Sequence, residues 1–142
     1  MNTNIAKMWI DALRSGEYKQ GKFVLHNVTK DTWCCLGVLC DLYQKNCEEG
    51  FVLPTGITIL LNGDGTIAEE NDGVKVLNYD TMYKELPYEV ANWAGMDTNR
   101  VGWRQGRIPN EETYSSLAIM NDARGFDFNQ IAETIELNVE KM

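Results

Sequence analysis

Four cysteines and one histidine are the side chains best suited to metal binding or nucleophilic chemistry: Cys34, Cys35, Cys40, Cys47 and His26. A zinc site needs ligands that converge, as a Cys-x2-Cys pair does, and that spacing is absent among them. Cys34 and Cys35 are adjacent, so on a helix they diverge by about 100° and do not face one ion. A thiol nucleophile is the other option. Cys35, near the start of a helix, would feel the partial positive charge that lowers a thiol pKa, with His26 as the sole histidine base. That chemistry also needs an exposed sulfur, and the run from Trp33 to Tyr43 holds one acid and no base. Buried cysteine behaves as a small apolar side chain, so packing is the expected role. No catalytic residue, metal ligand or cofactor is assigned.

A second constellation runs against the acidic grain of the chain. Arg100, Trp103, Arg104 and Arg107 fall within eight residues that contain no acid, in a stretch that precedes an expected helix. Guanidinium groups fork onto phosphates, an indole stacks on a base, and free amides at a helix start favour anions. Such a loop could hold a nucleotide-like small molecule, with Tyr18, Lys19, Gln20 and Lys22 as candidates for the same mouth. The plainer reading pairs these arginines with surplus carboxylates and packs Trp103.

Other motifs fail on inspection. Leu60 to Asn71 resembles a calcium loop around Asn62, Asp64 and Gly65, but Leu60 and Asn71 stand where carboxylates are required. A hairpin turn fits better. The final two helices have the outline of a helix-turn-helix, yet Phe126 to Met142 carries Asp127, Glu133, Glu136 and Glu140 against Lys141 alone. That helix lacks donors for phosphates, and DNA binding is not expected. Gly-x-Ser-x-Gly, phosphate-loop, dinucleotide and His-Glu-x-x-His patterns are all absent. Among 21 acids no carboxylate pair stands out.

The elements that must position these residues read as α+β. Ile5, Met8, Trp9, Ala12 and Leu13 make one helical stripe over residues 4 to 15, closed by Gly16. Phe23-Val24-Leu25 suits a short strand, and Thr32 or Asp31 is expected to cap a helix carrying Cys35, Val38, Leu39 and Leu42. This helix is apolar nearly all round, so the others should pack about it. Residues 51–79 hold short β-branched runs separated by Asn-Gly and Asp-Gly turns, which predicts a small antiparallel meander. Helices resume at Pro87 and at Asn110, the latter with Tyr114, Leu117, Ala118 and Met120 inward. The last begins at Asp127 with Gln130 in a capping-box position and Phe128, Ile131, Ala132, Ile135, Val139 and Met142 on one face. The expected whole is one domain over 1–142: helical 1–50, a meander about 51–79, helical 86–142.

At 142 residues a single core suffices, burying roughly two thirds of the surface that the unfolded chain exposes. The N-terminus has the periodicity of an amphipathic helix, so neither a leader nor a membrane anchor is expected there. Reduced cysteines in a cytoplasm follow from the same reading. A net charge of −8 repels phosphate backbones and suits solubility, or docking onto a basic protein surface. Self-association into a homo-oligomer is left open by the residues.

Taken together, these segments resemble a family of small proteins encoded by tailed bacteriophages. The resemblance rests on Ala12-Leu13-Arg14-Ser15-Gly16-Glu17-Tyr18-Lys19-Gln20-Gly21 and on Cys34-Cys35-Leu36-Gly37-Val38-Leu39-Cys40-Asp41-Leu42-Tyr43. Leu86-Pro87, Val90, Trp93-Ala94-Gly95, Met120-Asn121-Asp122, Phe128, Ile131-Ala132 and Ile135-Glu136 extend it to about three fifths of the chain. It implies an accessory protein at work in the host bacterial cytoplasm, non-enzymatic, binding a host or defence component, and it assigns no catalytic residue.

Overall fold

The computed structural model describes residues 1–27, 30–47, 85–96 and 116–142, with the backbone of 58–59 and 75–76. The first helix, α1 (Thr3–Arg14), starts where Asn2 accepts hydrogen bonds from the amides of Asn4 and Ile5. Such a cap satisfies amides that lack an intrahelical partner. Its core face is Ile5, Ala6, Trp9, Ile10 and Leu13, and Met8 and Ala12 lie at its margin. The Trp9 indole donates to the Cys35 carbonyl over 2.9 Å, fixing α1 to the first turn of the next helix.

Between them lies a strap, residues 17–27, that departs from the expected strand at Phe23-Val24-Leu25. Phe23 takes a φ of 69°, which breaks an extended run, and its ring is exposed while Val24 and Leu25 turn inward. The strand pair is instead β1 (His26–Asn27) antiparallel to β2 (Thr32–Trp33), with His26 opposite Trp33. Thr32 is therefore engaged in the hairpin and does not cap the helix.

The helix α2 (Cys35–Asn46) starts later than expected, at a cap made by the Cys34 thiol, which accepts from the Gly37 amide over 3.4 Å. Every residue from Cys35 to Cys40 is buried, whereas Gln44, Lys45 and Asn46 reach solvent. Leu25 lies against this first half at the one position without a side chain. A Cβ on Gly37 would stand 1.7 Å from the Leu25 carbonyl oxygen, which also accepts the Cys34 amide over 3.2 Å.

Strands β3 (Thr58–Ile59) and β4 (Lys75–Val76) pair antiparallel. The rest of the expected meander, 51–79, and the turns of the calcium-like segment lie outside the described residues. Helix α3 (Tyr88–Trp93) has Pro87 at its cap, so it begins one residue later than the start expected at Pro87. Helix α4 (Leu117–Asp122) is capped by Ser116, whose hydroxyl accepts from Ile119 over 3.2 Å. Ser116 is extended, so the helix expected from Asn110 does not run into α4; residues 110–115 themselves lie outside the described set. Gly125, with a φ of 70°, turns the chain after α4, and Phe126 donates back to the Met120 carbonyl. Helix α5 (Phe128–Asn138) opens on the full capping box of Asp127 and Gln130 and ends in a 3-10 turn, Val139–Lys141. Among the described residues α5 packs on α1 and α4, and α2 packs on α1, α3 and α4, so the architecture is mixed α+β.

Gly37→Ala must push the strap off α2, because the obstructing atom is backbone. We expect a loss of about 3 kcal/mol, at the upper end for overpacking a core, read as a lowered midpoint in urea unfolding.

Candidate functional site

The cysteines carry the sequence's main chemical option. Cys34, Cys35 and Cys40 are buried, and Cys47 is half-buried at the end of α2. Burial pushes the Cys34 thiol up to about 12, and burial likewise raises Cys35 and Cys40 well above the ordinary thiol range. Desolvation of a thiolate outweighs any help from a helix start. The Cys35 sulfur points at the Leu117 carbonyl, 3.6 Å away. His26 is engaged elsewhere: its ring stacks on Trp33 with centroids 3.5 Å apart, and Nε2 donates to Asp31 over 3.0 Å. That hydrogen bond holds the exposed Asp31 carboxyl below its usual range. The structure thus gives Cys35 and His26 separate partners. Among the described residues no group of three or more His, Cys, Asp or Glu could hold a metal ion.

Tyr18 and Gln20 sit on the strap, and both tie it down. The Tyr18 hydroxyl donates to Asp41 on α2 over 2.5 Å and accepts from Lys45 over 3.1 Å. Lys45 closes the triangle on Asp41 at 2.6 Å, one helical turn along. Burial and then the Asp41 hydrogen bond raise the Tyr18 hydroxyl, while Asp41 raises the Lys45 ammonium. With the Lys45 side chain 60% exposed, solvent screens this pair, so it contributes at most about 1 kcal/mol. Trp33 packs edge-on against the Tyr18 ring.

Gln20 spends both amide protons on the scaffold, to the Asn121 side chain over 2.9 Å and the Phe126 carbonyl over 2.8 Å. Asn121 is fully buried and donates in turn to the Gly21 carbonyl and to Asp122. Asp122 also accepts the Phe23 amide. This network fastens the strap to α4. Arg100, Trp103, Arg104 and Arg107 lie outside the described residues.

A groove of about 480 Å³ opens between α1 and the end of α5. Lys7, Asp11 and Arg14 line one wall, and Glu136, Glu140 and Lys141 the other. Arg14 and Glu136 bridge it at 2.8 Å. Leu137 borders it and is 74% exposed. The groove was not among the expected sites. Its sequence signal is Leu137 itself, an apolar residue among the polar positions of the outward α5 face.

A family model described as a domain of unknown function, DUF8296, matches residues 1–139. The chain belongs to that family. The match takes in α1, the strap, α2 and α5, so DUF8296 spans the buried cysteine helix and the groove as far as Val139. No curated protein and no solved structure matches the chain significantly.

Iodoacetamide should label native protein at Cys47 alone, and Cys34, Cys35 and Cys40 only after unfolding. Their raised pKa values keep them protonated in the fold. Their contribution to stability is therefore complete below the unfolded thiol pKa, about 8.5, and falls by up to about 1.4 kcal/mol per thiol for each further pH unit. Mass spectrometry of peptides from native and urea-treated samples checks the labelling.

Proposed function

We propose that this DUF8296 protein is a phage-encoded, non-enzymatic accessory protein that binds a host component in the infected bacterial cytoplasm and inhibits or redirects it. The observation that carries the reading is the commitment of its candidate reactive groups to the scaffold: Cys34, Cys35, Cys40, His26, Tyr18 and Gln20 each pack or bond internally. The three thiols are shut away from solvent and His26 has its own partner in Asp31, so no nucleophile–base pair is assembled among the described residues. The phage setting rests on the two N-terminal motif stretches, and the same reading takes α2 as the centre around which the helices pack, with 51–79 as a meander.

Charge points to the kind of partner. Residues 48–84 carry Glu48, Glu49, Glu69, Glu70 and three aspartates against only Lys75 and Lys84, so most of the net −8 is concentrated there. A dense single-sign segment steers encounter with a surface of the opposite sign and loses its grip as salt rises. Wild-type protein and a variant with those four glutamates changed to Gln serve as parallel baits in a bacterial lysate at low and high salt. The wild type should enrich basic proteins at low salt only, and the variant should not; equal recovery by both baits retires the acidic contact.

The acid-free cluster of Arg100, Trp103, Arg104 and Arg107 favours one alternative, a sink that holds a nucleotide signal without turning it over. In that case titration calorimetry detects nucleotide binding by the wild type and at least a tenfold loss in Arg104→Ala/Arg107→Ala. Unchanged affinity removes this loop as the site.

A further inference from the structure

On a chain of net charge −8, two copies repel one another over much of their surface. The groove between α1 and α5 is balanced instead. Lys7, Arg14 and Lys141 face Asp11, Glu136 and Glu140, three cations against three acids. Arg14 and Glu136 pair within the chain, while Lys7, Asp11, Glu140 and Lys141 make no ion pair among the described residues. Beside these charges stands Leu137, 74% exposed, and the groove itself is lined by Ala6, Ile10 and Val139. A two-fold contact requires one patch to carry both halves of every complementary set. This patch carries knob and groove, cation and acid.

We propose that a second copy of the chain docks on this face, in a two-fold dimer that seats Leu137 of each copy in the groove of the other. Cross-pairs among the four unpaired charges fix the alignment, and the balance of the patch lets two acidic chains approach there. The face is two helices wide and about 18 Å long, on the order of 400 Å² in plan. That is below the roughly 800 Å² per partner of a standard stable interface, so the dimer is weak and depends on concentration. It does not rest on the host-binding reading, which concerns other residues.

Sedimentation velocity of the full chain, from about 5 to 500 μM at low salt, tests it. The average mass should climb from the 16.1 kDa monomer towards twice that value and fall back as salt is added. Leu137→Glu, at an exposed position that leaves the fold intact, should weaken association at least tenfold. Two charge variants, Lys7→Glu/Arg14→Glu and Glu136→Lys/Glu140→Lys, should each stay monomeric alone and associate when mixed. A monomer at every concentration overturns the proposal. So does a dimer that Leu137→Glu leaves unchanged, and that single variant decides the matter should either double variant unfold by circular dichroism.

Discussion

The Leu25 carbonyl lies where Gly37 has no side chain, and much of the described structure follows from that approach. It lets the strap lie flat on the first half of α2, so that Val24 and Leu25 close over a helix buried from Cys35 to Cys40. The same carbonyl accepts the Cys34 amide, which sets Cys34 at the helix start, where its sulfur takes up the Gly37 amide. The half of α2 from Cys35 to Cys40 is buried at every position, and here an irregular segment supplies part of its cover.

Polar contacts then fasten the first part of the strap to two helices. Tyr18 binds the Asp41 and Lys45 pair on α2, and Gln20 binds Asn121 on α4. Asn121 is the costly member, because it is fully buried and serves three partners. Removing such a group strands its partners and costs about 1–3 kcal/mol. The segment with Tyr18 and Gln20 and the segment with Gly37 and Asp41 are therefore two parts of one joint, which gives their side chains a structural reason to occur together.

Much of the helical frame was legible. Periodicity located α1, α2 and α5, and the Asp127 and Gln130 pair marked the start of α5 to the residue. Misreadings came where a local signal had a tertiary competitor. Thr32 has the chemistry of a cap but is taken by the hairpin with Asn27, and a thiol, a weak acceptor, caps α2 instead. Phe23 has strand propensity, yet its amide is held by Asp122, nearly a hundred residues away. Of the candidate site, Tyr18 and Gln20 were read as candidates for the mouth of a nucleotide loop, and the fold bonds them to Asp41 on α2 and Asn121 on α4. The groove was hidden because it joins residues 3–14 to residues 136–141, and nothing local links the two.

The buried sulfurs have a consequence for the setting in which the protein works. With Cys34, Cys35 and Cys40 shut inside the core, Cys47 alone of the four thiols lies within reach of oxidants and mixed-disulfide formers, so a change in the surrounding redox poise leaves the interior thiols untouched. A burst of peroxide would modify the rim of the molecule and spare its architecture.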